Sequence, residues 1–585
     1  MIKKVQLFVF LLLTGIFTNA QEKYAIGMFH FNLQYVAGDY KIESRIIRES
    51  FYPVLQFFEK NPTFKSDIEI QGYAIEVFAE EHPQVLALLK KLIDRGQVEL
   101  VIAHYSDQFF IAYPALDLQK SIELSDEILA KYGLRRSKVF FGQEIQFTPA
   151  FASALKGKYD LFATSSDPHG YYRGRTLPLV NVKYGNDQIL GLIGGGDKKL
   201  NGLEWDWAFL DDGEVFNTTD YNSNFYRVPE QEKQSIDQFL KLKSQGYKFL
   251  TMTELADKIK KSKGYVIPDY PFVPEGTWNM SVCGPFMWMG RQRSGVETDG
   301  ITRSLSYELR GRLMAVEKLV DYAESKGMDV ADLKKLVKEA WKHLLLSEVS
   351  DSSGWTPWLV EVQYTANEVA NANGVLNDLF NKLKTKFPVD GKSYIVDTKT
   401  GKISLNENPL ARSGAASFLP IPFEIKAERA TTIIKKISET LYRLDIKCER
   451  PADGAVEIVF DTPADGLQYS AGAGEEIAVQ IPTDLRHDPA LALSNGFIWL
   501  NNGYSLVKDC SIEHLAATWK VKDRKLVFRE ELNPDNKEMN MRFYVIKGSV
   551  KDGLELGNRL NTWPSYSIKN SDDKVSIEKL MPENL

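Results

Sequence analysis

Between about Lys23 and Thr253 short apolar runs alternate with segments of helical spacing, and no other feature constrains the fold as much. The runs are Tyr24 to Phe31, Asp67 to Gln71, Val98 to Ala103, Lys138 to Phe141, Tyr159 to Ala163, Gln188 to Ile193 and Tyr247 to Met252. The clearest helix between them is Pro83 to Arg95. Val85, Leu86, Leu88, Leu89, Leu92 and Ile93 share one face, Pro83 suits the first turn and Gly96 the stop. Ile46 to Phe58 has the same spacing, and Leu118, Ile122 and Leu129 line a helix that ends at Gly133. Such alternation implies parallel strands joined by right-handed crossovers. About seven units predict a distorted (β/α)7-type barrel over 21–300 rather than a compact Rossmann sheet. No Gly-x-Gly-x-x-Gly follows a strand and no Walker loop occurs, so nucleotides have no evident site.

The texture then changes twice. Leu305 to Glu324, Val330 to Leu346 and Thr365 to Leu383 are helical, which makes 301–388 a helical domain packed on the barrel. Beyond it, Ala455 to Phe460, Phe497 to Leu500 and Met541 to Ile546 are short β-rich runs. Asp453-Gly454, Asp465-Gly466 and Asn502-Gly503 mark turns at their edges. That pattern predicts a β-sandwich over 389–585, so the whole is α/β plus β.

Residues 1–20 read as a signal peptide. Lys3 and Lys4 precede an apolar Leu7 to Phe17, and Thr18-Asn19-Ala20 offers small residues for cleavage near Ala20. Export to the periplasm or the extracellular space is expected. The apolar run is short for a membrane span, and no later stretch approaches eighteen apolar residues, so no span is expected in the mature chain. Cys283, Cys448 and Cys510 are too few for a disulfide framework; Cys448 and Cys510 either pair or stay free. A net charge of −6 argues against a nucleic-acid partner. Nothing marks an oligomeric state.

In a barrel of this type, reactive groups belong at the C-terminal strand ends, where loops converge. His30-Phe31-Asn32-Leu33-Gln34 follows the first strand. Glu99, His104, Tyr105 and Asp107 lie in or after the third. Gln143, Glu144 and Gln146 come next, then Asp167 and His169, then Asp211, Asp212 and Glu214. Two carboxylates on one mouth are the minimum equipment for glycosidic bond cleavage. Taken singly, each has a plainer reading. Asp211-Asp212-Gly213 makes a turn, Glu144 a solvated charge, His30 a satisfied interior histidine, and Glu99 half of an ion pair. Trp205, Trp207, Trp278, Trp288, Trp355 and Trp358, taken singly, are more often core than sugar platforms, and Arg291, Arg293 and Arg303 read better as surface charges than as cleft residues.

Together and in this order, the segments resemble glycoside hydrolase family 57, a retaining family active on α-glucans. The resemblance covers roughly residues 24–360. The family opens with a His/Asn/Gln cluster, here His30, Asn32 and Gln34, and continues with Gly-x-x-Glu, here Gly96-Gln97-Val98-Glu99. Its nucleophilic Glu falls on Glu144 in Gly-Gln-Glu-Ile-Gln-Phe, and its acid/base Asp on Asp212 in Asp-Gly-Glu-Val-Phe. Ala340 to Trp355 resembles its helical-layer segment, which ends in an aromatic at the cleft. Two departures stand out: Leu33 replaces a second His, and Gly142 stands where an aromatic or apolar residue often precedes the nucleophile.

The resemblance implies a double displacement on α-linked oligo- or polysaccharides, with hydrolysis or transglycosylation as the outcome. Glu144 attacks the anomeric carbon and Asp212 donates a proton to the leaving oxygen, with the carboxyls about 5–5.5 Å apart. A charge on Glu214 or Asp211 is expected to hold the proton on Asp212. His30, Asn32, Gln34, Glu99, His104, Glu214 and Trp355 are the expected substrate-binding residues. No cofactor is implied. A zinc α-mannosidase of related barrel type wants His-x-Asp after the first strand, and His30-Phe31-Asn32 offers Asn, so no metal is expected. Two other readings remain: a non-catalytic glycan-binding envelope protein on the same barrel, and a structural protein of the envelope.

Overall fold

The computed structural model describes residues 21–584 except 34–37, 103, 197, 201, 220–223, 279–298, 351–358, 385, 387–390, 407–413, 453–454, 463–464, 513–518, 524, 532–537 and 572–574. The first strand, β1 (Glu22–His30), is buried on both faces, which is why its sequence reads as one continuous apolar run. Tyr24, Ile26 and Met28 pack inward with Val101, Val139, Phe141, Leu161, Leu192 and Trp205. Ala25 and Phe29 point the other way, into a core shared with the surrounding helices.

The parallel strands β2 (Ser66–Glu69), β3 (Val98–Val101), β4 (Val139–Phe141), β5 (Leu161–Ser165), β7 (Asp187–Gly194), β9 (Leu203–Asp212) and β10 (Lys248–Leu250) complete this layer. β6 (Leu179–Tyr184) and β8 (Lys199–Leu200) are its antiparallel edges. They form two sheets, β3-β2-β1-β9-β8 with β10 on β1, and β4-β5-β7-β6. Between β3 and β4 the backbone link among the described residues is Ser137 N to Leu100 O, at 2.8 Å. The helices α1 (Pro83–Asp94) and α2 (Ala115–Tyr132) end at Gly96 and Gly133. Both glycines have positive φ, 67° and 65°, as a left-handed stop requires.

One irregularity sets the site. β1 and β9 pair in register up to Ile26–Trp207, and then Gly27 pairs with Phe209, so Ala208 is an extra residue. This bulge shifts the pleat by one. Past it, Leu210 pairs with Met28 and Asp212 with His30. At Gly27 a Cβ would lie 2.5 Å from the Ser66 hydroxyl, which would have to turn away.

The helical layer comprises α3 (Asp299–Ser325), α4 (Ala331–Leu346) and α5 (Leu359–Lys384), of which α3 and α5 are longer than the periodicity indicates. Its apolar faces join the core that takes the outward face of β1. Arg310 of α3 is buried and donates to both oxygens of Asp117 on α2, at 2.8 and 2.7 Å, with Glu348 at 3.6 Å. Arg303, expected at the surface, is buried too and donates to the Tyr113 hydroxyl at 3.0 Å. Helices over Gly72–Glu81 and Pro229–Ser244 were not expected. The second buries only Phe239 and Leu242, too few to show a stripe in sequence.

From Ser393 onward the chain is β-rich. An eight-stranded and a five-stranded antiparallel sheet share one core, in which Ile446 and Phe543 meet Ile458, Phe460 and Phe528. Phe147, Phe151 and Tyr184 of the parallel layer enter that same core, and the Tyr184 hydroxyl donates to Gly474 O at 3.0 Å. Strands 393–397, 403–405, 565–570 and 575–579 form a separate sheet, with Val396, Tyr566 and Ile568 in the core of the helical layer. Cys448 and Cys510 are buried and do not pair with each other; Cys283 lies outside the described residues. Among the described residues no helix is long and apolar enough to cross a membrane.

Candidate active site

The C-terminal ends of β1, β2 and β9 lie side by side, and the register aligns their last residues. His30 pairs with Glu69 on one side and Asp212 on the other. His30 is buried and its Nδ1 is hydrogen-bonded to Glu69 Oε2. Burial alone would lower the pKa of His30, but the Glu69 carboxylate outweighs it. Asp107 and Asp212 add to the effect, and the imidazole is held well above its ordinary value. Glu69 is fully buried and is lowered from the usual carboxylate range; burial opposes this and the two histidines prevail. The stable state of the pair is therefore imidazolium and carboxylate.

Glu144 follows β4 in a turn that few residues tolerate. Its φ is 58°, and that of the β-branched Ile145 is 47°. Two consecutive left-handed non-glycine residues store about 1–3 kcal/mol each, and such strain persists only where its surroundings enforce it. Here Gln146 does much of the enforcing. Its Nε2 donates to Gln108 O and Gln143 O at 3.0 and 3.1 Å, and its Oε1 accepts from Ile111 N at 3.1 Å. Phe147 and Gly276 exchange two backbone bonds at 2.7 and 3.0 Å. The half-buried Glu144 carboxylate accepts from Trp278 Nε1 at 2.6 Å and Gln143 Nε2 at 3.2 Å. Gly142, the departure from the family pattern, has a local cause: a Cβ there would stand 2.7 Å from Gln146 Cγ.

Asp212 closes β9 half-buried, while Asp211 is exposed. Glu214 is fully buried behind them. Its Oε1 accepts from Asn32 N at 2.8 Å, and Oε2 has no partner among the described residues. Burial, and then the charge of Asp212, push Glu214 well above the carboxylate range. This corrects one expectation. Burial and the neighbouring Asp212 both favour the protonated form of Glu214, so the expected charge on Glu214 is disfavoured.

Other expected residues fall elsewhere. Glu99 is not at the mouth. It pairs in register with Asp67, two residues below the Glu69–Val101 row, and accepts from Thr253 Oγ1 at 2.7 Å. It sits second in β3, so its side chain points into the layer beneath the strand ends. His104 is fully buried behind His30, in contact with Glu69. Asn32 is buried, and its backbone anchors Glu214. His169 packs between the rings of Phe147 and Tyr270, and burial pushes its pKa down to about 3, a neutral core histidine. Gln34, Trp288, Trp355, Trp358, Arg291 and Arg293 lie outside the described residues.

Two residues with a place in this site carried no assigned role. Trp278 was weighed only as core or platform. Glu69 sits in Asp-Ile-Glu-Ile-Gln, where an acid at an inward position of a buried strand was the available signal. Glu69, His104 and Asp107 form the one group of metal-ligating type among the described residues. It suits a metal poorly. His104 turns Nε2 to Glu69, at 3.0 Å, and Nδ1 to Asp107, at 3.8 Å, and one ring cannot aim both nitrogens at a single ion.

Residues 18–264 match the profile of Glycosyl hydrolase family 57. Over that segment the chain is similar to glycosyl hydrolase family 57. An α-amylase of Pyrococcus horikoshii is 34% identical over 115 residues, which are 20% of this chain and 18% of that protein. A 4-α-glucanotransferase of Thermococcus litoralis is 28% identical over 107 residues, 18% of this chain and 16% of that one. The chain thus spans less than a fifth of the length of these curated relatives. In fold it is similar to an α-mannosidase of Enterococcus faecalis V583, with a TM-score of 0.60 at 10% identity over 94% of this chain and 90% of that one. The family match spans β1 to β10, the segment that carries His30, Glu144 and Asp212.

Proposed function

We propose that this chain is a member of family 57, an exported retaining glycoside hydrolase or transglycosylase acting on α-linked oligo- or polysaccharides. The observation that carries the reading is the strained turn that presents Glu144, with Trp278 on its carboxylate. Strain of this kind clusters where a side chain must be aimed. The names of the relatives, an α-amylase and a 4-α-glucanotransferase, support α-glucan as the substrate class. The two parallel sheets act as halves of one distorted barrel whose mouth holds the sugar.

In the first step the Glu144 carboxylate attacks the anomeric carbon as Asp212 gives its proton to the leaving glycosidic oxygen. In the second, Asp212 takes a proton from water or a sugar hydroxyl, which displaces Glu144 with net retention. The bulge at Ala208 serves this by turning Asp212, not Asp211, to the row of His30. Gln143 and Trp278 orient the Glu144 carboxylate before attack. The signal-peptide pattern supports export to the periplasm or beyond.

The test is turnover of a panel of α-glucans by the mature protein, with product analysis. Glu144→Gln and Asp212→Asn are each expected to abolish turnover while leaving sugar binding and the melting temperature intact. Saturable binding without turnover by the parent would replace the enzyme with a glycan-binding relative.

A further inference from the structure

Glu69 takes no part in the double displacement, yet it is fully buried at the end of β2 between two histidines. Its Oε2 meets His30 Nδ1, and its Oε1 stands 3.0 Å from His104 Nε2. On the far side of His104, Nδ1 is 3.8 Å from Asp107 Oδ1. Asp107 is in turn held by Gln71 Nε2 at 2.9 Å, and the same nitrogen donates to Phe31 O at 2.6 Å. The row Asp107–His104–Glu69–His30 therefore runs from the loop after β3 back to β1 and is tied there to the backbone next to His30.

A carboxylate only accepts, so His30 Nδ1 carries the proton of the Glu69 contact. The one freedom left in that ring is the state of Nε2, which is buried and has no partner among the described residues. The groups facing His30 are Glu69 from β2, Asp107 after β3, Asp211, Asp212 and Glu214 at the end of β9, and the apolar ring of Phe141 from β4. Glu69, Asp107 and Asp212 each favour a second proton on the imidazole. Nε2 is then a donor, fixed in direction, in the register row of Asp212.

We propose that Glu69 is a positioning residue that fixes the His30 ring and makes Nε2 a hydrogen-bond donor to a sugar oxygen beside Asp212. The donor role toward sugar rests on the glycosidase reading; the control of His30 by Glu69 does not.

Glu69→Gln in the full mature chain separates the two. Imidazole nitrogen NMR, with His30 identified by its loss in His30→Gln, reads the proton affinity directly. In Glu69→Gln the His30 titration is expected to fall by at least about one pH unit, a tenfold loss of proton affinity. On an α-glucan oligosaccharide, kcat/KM should lose its high-pH activity first. The double variant His30→Gln/Glu69→Gln should be no slower than His30→Gln alone, because Glu69 acts through that ring. An unmoved His30 titration, or additive losses in the double variant, would overturn the proposal. So would stoichiometric zinc held by the parent and lost on Glu69→Gln, which would make the cluster a chelate. Should Glu69→Gln fail to fold, Glu69→Asp keeps the charge and should keep the raised titration; a fall to the free-imidazole value there would be equally fatal. If the parent turns over no α-glucan, the glycosidase reading fails and the NMR arm still decides the role of Glu69.

Discussion

Gly142→Ala is a one-methyl test of whether the strained turn is what makes Glu144 reactive. Gly142 has φ −93° and ψ 141°, extended values that alanine adopts freely, so backbone strain contributes nothing. The added Cβ would lie 2.7 Å from Gln146 Cγ. Gln146 must retreat by about 0.7 Å to reach ordinary van der Waals contact. It holds three hydrogen bonds that pin the turn, to Gln108 O, Gln143 O and Ile111 N. Overpacking of this kind costs about 1–3 kcal/mol, or roughly 2–4 °C of melting temperature per kcal/mol in a unit of this size. The larger effect is expected in rate. A shift of the Glu144 turn by a sizeable fraction of an ångström should lower kcat roughly ten- to a hundredfold with little change in KM. The assays are calorimetry and initial rates on an α-glucan. Gly96→Ala is the control: its φ of 67° is strained but nothing lies within 4 Å of the new Cβ. It should cost about 1–2 kcal/mol and leave kcat unchanged. If Gly142→Ala melts lower but keeps full kcat, the Gln146 latch does not aim Glu144 and the argument from strain is wrong.

Trp278→Phe removes the donor on Glu144 Oε2 and keeps an aromatic ring. A hydrogen bond to a charged group is worth about 1.5–3 kcal/mol, so kcat/KM should fall roughly ten- to a hundredfold, and an unchanged value would exclude Trp278 from the site. Arg310→Met leaves Asp117 and Glu348 buried together without their cation, and about 3–5 kcal/mol should be lost in a denaturant titration. His169 has a depressed pKa of about 3, so the unfolded chain binds more protons below about pH 6.5. Stability should be complete above that pH and fall progressively toward pH 3, and His169→Phe should flatten this part of the melting profile.

Much of the architecture was legible because it is written in local periodicity. A strand buried on both faces reads as an apolar run, and α1 and α2 read as stripes closed by glycine. The helix Pro229–Ser244 was missed for the same reason, since its short stripe leaves little to detect. The β-rich region showed in its strand runs and in the turns at 465–466 and 502–503, while Asp453-Gly454 lies outside the described residues; its division did not show, because pairing of 393–397 with 565–570 joins segments far apart in sequence. Arg303 reads as a surface charge, since nothing nearby in the chain announces Tyr113.

In the site, the order of polar segments along the chain puts candidate groups at the strand ends of a parallel layer, and the roles proposed for Glu144 and Asp212 come from the family resemblance. Sequence alone determined the alternating layer and where its strands end. The pleat, the pairing and the depth came only with the tertiary structure. Ala208 bulges and turns Asp212 to His30, Glu99 lands below the mouth, and Glu69 lies between two histidines. A strand's register is a relation between distant segments, and a slip of one residue sends every side chain to the opposite face.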